Sequence, residues 1–570
     1  MKKRIYLTSD YETLIKNDGY YVDKTRFIPL LENYSNPNVL FLRPRKFGKS
    51  LLLSVLEHYY GIQYRENFNE LFGAYYIGQP DQSTALKNSY HIFRFDFSGI
   101  DTENVDNLLL AFNNKVKGSI KIFAANYGFF SETELDSIFN QRTPADILSN
   151  FFPSLIYKGF SGKIFILVDE YDHFTNELLS FNIDHFREIV SQNGWVRKFY
   201  EVIKQFIGEG LIGRFFATGV TPVTLDSMTS GFNIAKNITT DPVYHNMAGF
   251  TEDEVKRLIE AISREELQFD PEKISADIRK WYNGSKFSID AGERLYNPQM
   301  LLNFLNYLSN HGKYPSDMYD PSVSSDYSKI KKQLGILKRE ESYNVITEII
   351  ENERICDELT QQYDFETGLE RKDLISLLFY NGLLTMDSGE GKLITFVIPN
   401  YVSKIMYWDF IRKLMVEENV AGLGFVELMP ILDEMRFEGR VSKLIDYTSA
   451  IINTLSNRDL SGFRELNLKS ILVTILSFSQ IYRINSEFEI NRKYVDLLLE
   501  LQPDYKGKYS FILELKYLKQ NESEKYEEIK RNGIEQLQNY LKIENLNKKE
   551  NMKAWLILFL NDKGEAIEVK

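Results

Sequence analysis

"FLRPRKFGKSLLL", residues 41–53, decides how the first half of the chain is read. Gly48, Lys49 and Ser50 close the phosphate-loop pattern G-x-x-x-x-G-K-[ST], yet Arg43 stands where the leading glycine belongs. The apolar run "NVLFL" (38–42) suits a strand buried on both faces, and "SLLLSVLEHYY" carries helical spacing up to Gly61. A loop between such a strand and a helix N-terminus is where backbone N–H groups converge on phosphate. The expected nucleotide-binding loop is therefore Arg43, Pro44, Arg45, Lys46, Phe47, Gly48, Lys49, Ser50 and Leu51. Lys49 would reach the terminal phosphates of ATP and the Ser50 hydroxyl would ligate Mg2+. Arg43 and Pro44 would stiffen the loop entry, and with Arg45, Lys46 and Lys49 would grip phosphate. For the loop alone, a chance GKS between ordinary core elements is the alternative.

Further along, "GKIFILVDEYDHF" (162–174) runs an apolar strand straight into Asp169 and Glu170. Acids at the C-terminal edge of a parallel sheet lie where ligands bind. Asp169 would support the Mg2+ held by Ser50, and Glu170 would polarise the attacking water. "YHIFRFDFSGID" (90–101) and "GRFFATGVTP" (213–222) read as two more strands, the second ending in Thr218, a candidate sensor of the terminal phosphate. Strands of this kind separated by helical segments make a doubly wound α/β domain.

"YYVDKTRFIPLL", "FLRPRKFGKSLLLSVLEHYY", "FRFDFSGID", "ILVDEYDHF", "FFATGV" and "MAGFTEDEV", in that order, resemble the AAA-ATPase-like family found mainly in anaerobic and gut bacteria. "WYNGSKF" and "LYNPQMLLNFL" extend the resemblance over roughly residues 5 to 300. In that family the loop reads R-P-R-[RK]-F-G-K-S, so the resemblance makes Arg43 the usual residue there. "TSGFNIAKNITTD" resembles the family's sensor region loosely. By position, Arg214 and Arg45 are the candidates for an arginine finger, and a surface ion pair is the other use of each.

Composition narrows the remaining chemistry. At 570 residues the chain exceeds what one hydrophobic core supports. A single cysteine, Cys356, excludes an internal disulfide framework and cysteine-rich zinc modules. No histidine follows His311, so chemistry in the C-terminal half must run on carboxylates, lysines and hydroxyls, with or without a metal. The net charge of -12 argues against a generally DNA-coating protein and leaves room for a local basic groove. No apolar run spans a bilayer and the N-terminus turns polar too early for a signal peptide, which makes the cytoplasm the expected location.

"TEDEVKRLIEAI" opens like a capping box, and residues 251–330 read as a helical lid behind a P-loop domain spanning 1–250. Residues 331–415 read as linker and winged-helix-like module, within a polar, linker-like stretch from 311 to 365 followed by "RKDLISLLFYNGLLTMDSGEGKLITFVIPNYVSKIMYWDFI" (371–411) with a turn at Ser388–Gly391. This module resembles the family's connector and shows no basic recognition face, so interdomain packing is its expected use.

In the last domain, 416–570, "NRKYVDLLLELQ" (491–502) and "KYSFILELKYLK" (508–519) read as two strands joined by "PDYKG". Side chains alternate along a strand, so Glu514 and Lys516 share a face. Asp496, Glu514 and Lys516 thus form the D-(x)n-E-x-K arrangement of the PD-(D/E)XK nuclease superfamily, which this domain resembles. Asp496, Glu514 and the Leu515 carbonyl are hard oxygen donors for Mg2+, and Lys516 would lower the pKa of the attacking water. Glu465, on the helix "SGFRELNLKSILVTILS", matches the acid contributed by the first core helix of such nucleases. Gln536 and Tyr540 resemble the Q-x-x-x-Y of the ATPase-linked group. "NRKYVDL" departs from the G-R-x-D-L form usual before the first strand acid.

The reading as a whole is an α/β chain: a P-loop ATPase domain with helical lid, a winged-helix-like connector and a C-terminal PD-(D/E)XK nuclease-like domain. It would bind and hydrolyse ATP with Mg2+ and cut DNA, with defence against foreign DNA or mobile-element processing implied by the resemblance. No membrane is involved, and a homo-oligomer is left open. The competing readings are a nucleotide-gated binding or signalling protein with a silent nuclease fold, and a plain ATPase with a structural tail.

Overall fold

"NVLFL" forms β1 (Asn38–Leu42), buried at every position. It lies inside a parallel sheet with β2 (His91–Asp96), β3 (Ile164–Asp169), β4 (Ile212–Gly219) and the short β5 (Lys236–Asn237), in the order β2-β3-β4-β1-β5. The computed structural model describes residues 4–100, 102, 105–181, 183–190, 194–222, 234–266, 270–315, 318, 339–361, 363, 369–407, 425–454, 465–477, 481–490, 493–502, 505–542 and 551–570. These fall into two compact units, Met1–Ser403 and Lys404–Lys570. Among the described residues no helix is long and apolar enough to cross a membrane.

In the first unit, β4 is inserted between the loop strand β1 and the acidic strand β3, with Phe41 beside Thr218 and Val168 beside Ala217. The strands all run the same way, so residues 43–50, 169–173 and 219–222 leave the sheet at one edge. Gly48 has φ +87, a conformation costly for any residue with a Cβ, and it starts helix α1 (Lys49–Tyr60), which Gly61 ends. This is the strand, loop and helix expected from "FLRPRKFGKSLLL".

Helices Glu252–Glu266, Pro271–Tyr282 and α2 (Pro298–His311) follow the sheet. The capping box forms: Thr251 N–H donates to Glu254 at 2.9 Å and Glu254 N–H to the Thr251 hydroxyl at 3.3 Å. Glu254 also takes the buried Lys24 ammonium at 2.7 Å, fastening the N-terminal segment to the first of these helices.

The linker-like stretch 311–365 is more structured than its composition suggests. Residues 316–317, 319–338, 362 and 364–365 of it lie outside the described residues, but Arg339–Asn352 is a helix and β6 (Arg354–Glu358) is an edge strand. With β7 (Thr385–Glu390) and β8 (Leu393–Val397) it forms an antiparallel sheet, β6-β8-β7. The turn expected at Ser388–Gly391 sits later, because the ladder with β8 carries β7 on to Glu390. Helix Arg371–Tyr380 completes this module.

The second unit holds a five-stranded sheet of β9 (Tyr482–Ile490), β10 (Lys493–Leu501), β11 (Ser510–Leu518), β12 (Met552–Leu560) and β13 (Lys563–Val569), ordered β13-β12-β11-β10-β9. Only β11 and β12 pair in parallel, which demands a crossover, and helix α4 (Tyr526–Leu541) supplies it, while α3 (Glu465–Ser477) packs on β9 and β11. α4 buries Leu537 and Tyr540 against Ile512, Leu556 and their neighbours.

Candidate active sites

In the first unit the phosphate loop is folded back on itself. Lys46 has φ +68, and the buried Lys49 ammonium donates to the Pro44 carbonyl at 3.1 Å. Ser50 hydrogen-bonds the Asp169 carboxylate, which also accepts the Glu170 N–H at 3.1 Å. Burial, then the Glu170 charge, pushes the Asp169 pKa up. Glu170 behaves oppositely. Burial works against its charge, but the His173 ring, Lys49 and Arg45 outweigh that and hold its pKa down at about 2. Glu170 also has φ +50, a left-handed backbone rare for a side chain of this size.

Two cavities share Ser9, Lys46, Ser50 and Glu170 as walls. One is lined also by Tyr6, Tyr20, Phe250 and Gln299; the other is polar, with Arg45, Arg94, Asp96 and His173. The loop thus lines both a mainly apolar chamber and a charged one. Phe47 and Leu51 line the apolar chamber, as does Gly48.

Three expected roles are corrected. Arg43 does not face phosphate: its guanidinium is buried and donates to the carbonyls of Leu42 (2.8 Å), Thr239 (2.9 Å), Tyr244 (3.1 Å) and His245 (2.9 Å). It lies over the rings of Phe41 at 4.3 Å and Phe287 at 4.2 Å, so it ties the end of β1 to segments far along the chain. Thr218 is not free to sense a phosphate, because its fully buried hydroxyl donates to Phe41 O at 2.8 Å and bridges β4 to β1. Arg214 is no finger: it is buried and donates to Leu31 O at 2.7 Å. Pro44 contributes its carbonyl to Lys49. Part of "TSGFNIAKNITTD", residues 229–233, lies outside the described residues.

Several residues were missed although they sit in quoted motifs. Asp172 is fully buried and accepts from Val220 N–H (3.1 Å), Thr221 N–H (2.6 Å), the Thr221 hydroxyl (3.0 Å) and Asn176 (2.5 Å). It clamps the turn after β3 to the turn after β4. Arg94 spans Glu57 at 2.9 Å and Asp169 at 3.5 Å. An arginine alternating with phenylalanines in "FRFDF" was the available signal.

In the second unit the hairpin β10–β11 brings the expected acids around one ammonium. Lys516 Nζ lies 2.9 Å from Glu514, 3.5 Å from Glu465 and 3.9 Å from Asp496, and donates to Leu515 O at 2.8 Å. Asp496 accepts the Leu515 N–H at 2.8 Å, which pins the two strands where the acids face each other. Burial works against the Lys516 charge, but Glu514, Asp496 and Glu465 outweigh it and keep its pKa above the ordinary lysine value. Burial and then the Asp496 charge push Glu514 up. Gln536 is engaged with Tyr540, its amide donating to the phenol at 2.7 Å rather than to an acid.

Whether a divalent cation suits these residues rests on the donors. Among the described residues no three carboxylate, imidazole or thiol groups are gathered closely enough to hold a metal ion. Yet Glu514 Oε2 is buried without a hydrogen-bond partner, beside Asp496 and the Leu515 carbonyl. An orphaned carboxylate oxygen among hard oxygen donors fits a hard cation.

Residues 6–229 match the family model described as a predicted AAA-ATPase, and residues 463–569 match that of the PD-(D/E)XK nuclease superfamily. The two matches lie in separate parts of the chain, one at each end. A curated relative, an uncharacterized protein in the vnfD 5′ region of Azotobacter chroococcum mcd 1, is 28% identical over 293 residues, covering 50% of this chain and 48% of the relative. The match thus spans about half the length of that relative. Among solved structures, a Walker-type ATPase of Pyrococcus abyssi is similar over 67% of this chain and 94% of its own, at 12% identity and a TM-score of 0.39. The two matches agree with a parallel sheet ending in the Ser50, Asp169 and Glu170 cluster and a second sheet carrying the Lys516 cluster.

Proposed function

We propose that the first unit binds and hydrolyses ATP with Mg2+ and that the second is a Mg2+-dependent DNA nuclease whose action it regulates. The observation that carries the reading is that each unit gathers its own reactive set: Lys49, Ser50, Asp169 and Glu170 in one, Glu465, Asp496, Glu514 and Lys516 in the other.

On this reading Lys49 leaves the Pro44 carbonyl to meet terminal phosphate charge, Ser50 and Asp169 hold the cation, and Glu170 orients water. With its pKa held low, Glu170 stays ionised and works by orientation rather than as a strong base. In the second unit Asp496, Glu514 and the Leu515 carbonyl would hold the cation, with Glu465 beside them. Bound Mg2+ supplies charge stabilisation and a more acidic water. Lys516, kept cationic by its acids, stabilises negative charge developing on a phosphodiester. A domain division at about residues 250, 330 and 415 and a cytoplasmic, bacterial setting belong to the same proposal, as does a role in defence or mobile-element processing.

The test incubates purified full chain with plasmid, linear and single-stranded DNA, with and without ATP and Mg2+. Lys49→Ala should abolish ATP hydrolysis and Lys516→Ala should abolish cutting. Metal-dependent cutting that persists in Lys516→Ala and Asp496→Ala would sink the nuclease assignment. ATP binding with no strand cleavage on any substrate would instead favour a nucleotide-gated binding protein.

A further inference from the structure

Behind Glu170 stands a smaller polar array that the reading above does not use. His173 opens the helix His173–Phe181. Its Nδ1 lies 3.5 Å from Glu170 Oε2 and its Nε2 lies 3.5 Å from Glu177 Oε1. The other Glu177 oxygen accepts the Thr102 hydroxyl at 2.9 Å. His173 N–H also donates to the Glu170 carbonyl at 3.1 Å, so both the backbone and the side chain of Glu170 are tied to this one residue. Residues four apart line one side of a helix, which sets His173 beside Glu177, while Glu170 reaches His173 across the turn that the His173 N–H closes.

Glu170 needs such a hold. A left-handed backbone on a non-glycine residue is strained and persists only where neighbours over-determine it. Its nearby cations, Lys49 and Arg45, belong to the loop that would engage phosphate. A partner outside that loop keeps the carboxylate in place however those cations are engaged.

We propose that His173 is a positioning residue for nucleotide hydrolysis: braced by Glu177, its imidazole fixes the Glu170 carboxylate in the direction from which it orients the attacking water. The inference rests on the ATPase reading of the first unit and adds two residues, His173 and Glu177, to it. The low pKa of Glu170 accords with a carboxylate held ionised between the loop cations and this ring.

The experiment measures steady-state ATP hydrolysis, equilibrium binding of a fluorescent ATP analogue and the melting temperature for full-length wild type, Glu170→Gln, His173→Ala, His173→Asn and Glu177→Gln. His173→Ala should lower kcat about 10- to 100-fold, the scale of a small misplacement of a reacting group, with analogue affinity within about threefold. His173→Asn, which keeps a polar tie, should recover part of the rate, and Glu177→Gln should fall between. If wild type hydrolyses ATP and Glu170→Gln does not, but His173→Ala keeps full kcat, this inference falls and the ATPase reading stands. If wild type does not turn over ATP, both fall. Loss of affinity and melting temperature in step with kcat would mark His173 as merely structural and overturn the proposal. Should His173→Ala not fold, wild-type kcat in both His173→Asn and Glu177→Gln overturns it.

Discussion

Replacing Arg43 by glycine would restore the usual leading residue of the phosphate-loop pattern, and it should damage the protein. The guanidinium makes four hydrogen bonds to carbonyls and lies against two aromatic rings. Hydrogen bonds from a charged donor contribute roughly 2 kcal/mol each, about 8 kcal/mol in all. Relief from burying a cation offsets several of these, about 4 kcal/mol, since burial alone pulls the Arg43 pKa down to about 9. What remains, about 4 kcal/mol, matches the cost of removing one partner from a buried charged network. In a unit of this size that is a fall in melting temperature of about 5 °C. Arg43→Lys keeps the charge without the planar fork and should fall between glycine and wild type. Calorimetry of the full chain, paired with binding of a fluorescent ATP analogue, reads both effects. An Arg43→Gly protein that melts with wild type and binds nucleotide equally or better would refute the reasoning and return Arg43 to the phosphate side.

Three other outcomes are expected. His245 accepts from Phe287 N–H through Nδ1, contacts Glu293 O through Nε2, and is held down to about 3 by burial and then Arg43. The unfolded chain takes that proton more readily, so stability is full above about pH 6.5 and falls by about 2 kcal/mol at pH 5 and about 4–5 kcal/mol near pH 3; thermal melts of wild type and His245→Gln across this range should show the variant losing less, and parallel curves would contradict it. Asp172→Ala strands the N–H groups of Val220 and Thr221 and should cost roughly 3–5 kcal/mol by denaturant unfolding, whereas a cost under about 1 kcal/mol would show that water replaces the clamp. Lys516→Met should lower the stability of the second unit below about pH 7 less than above it, because Glu514, pushed up to about 7 by burial and then Asp496, is neutral there and repels the other two acids less; the check is melting as a function of pH, and a pH-independent effect would mean that the ammonium does not answer its charge.

Much of the scaffold was legible. β1 and β3 are buried on both faces and read as unbroken apolar runs, and the E-x-K spacing on β11 followed from strand alternation alone. The acids at strand ends were legible for the same reason. The role of Arg43 was not, because its carbonyl partners at 239, 244 and 245 are some two hundred residues away and carbonyls have no sequence signature. Thr218 failed differently: a strand-end threonine looks alike whether its hydroxyl points to a ligand or across the sheet, and here the inserted position of β4 sent it to Phe41. β6 hid in a charged stretch because an edge strand needs few apolar residues, and only Ile355 of "RICDE" is buried.

Lys516 has a consequence of its own. A ring of acids normally depends on a free ion to be tolerable, yet here the counter-charge is covalently attached and cannot be dialysed away. The second unit should therefore survive chelation with its fold intact. On the proposed reading, incoming Mg2+ must also compete with a tethered rival whose effective concentration never falls. On that reading the competition would set a threshold of free metal below which the domain stays idle, a safeguard built from one side chain.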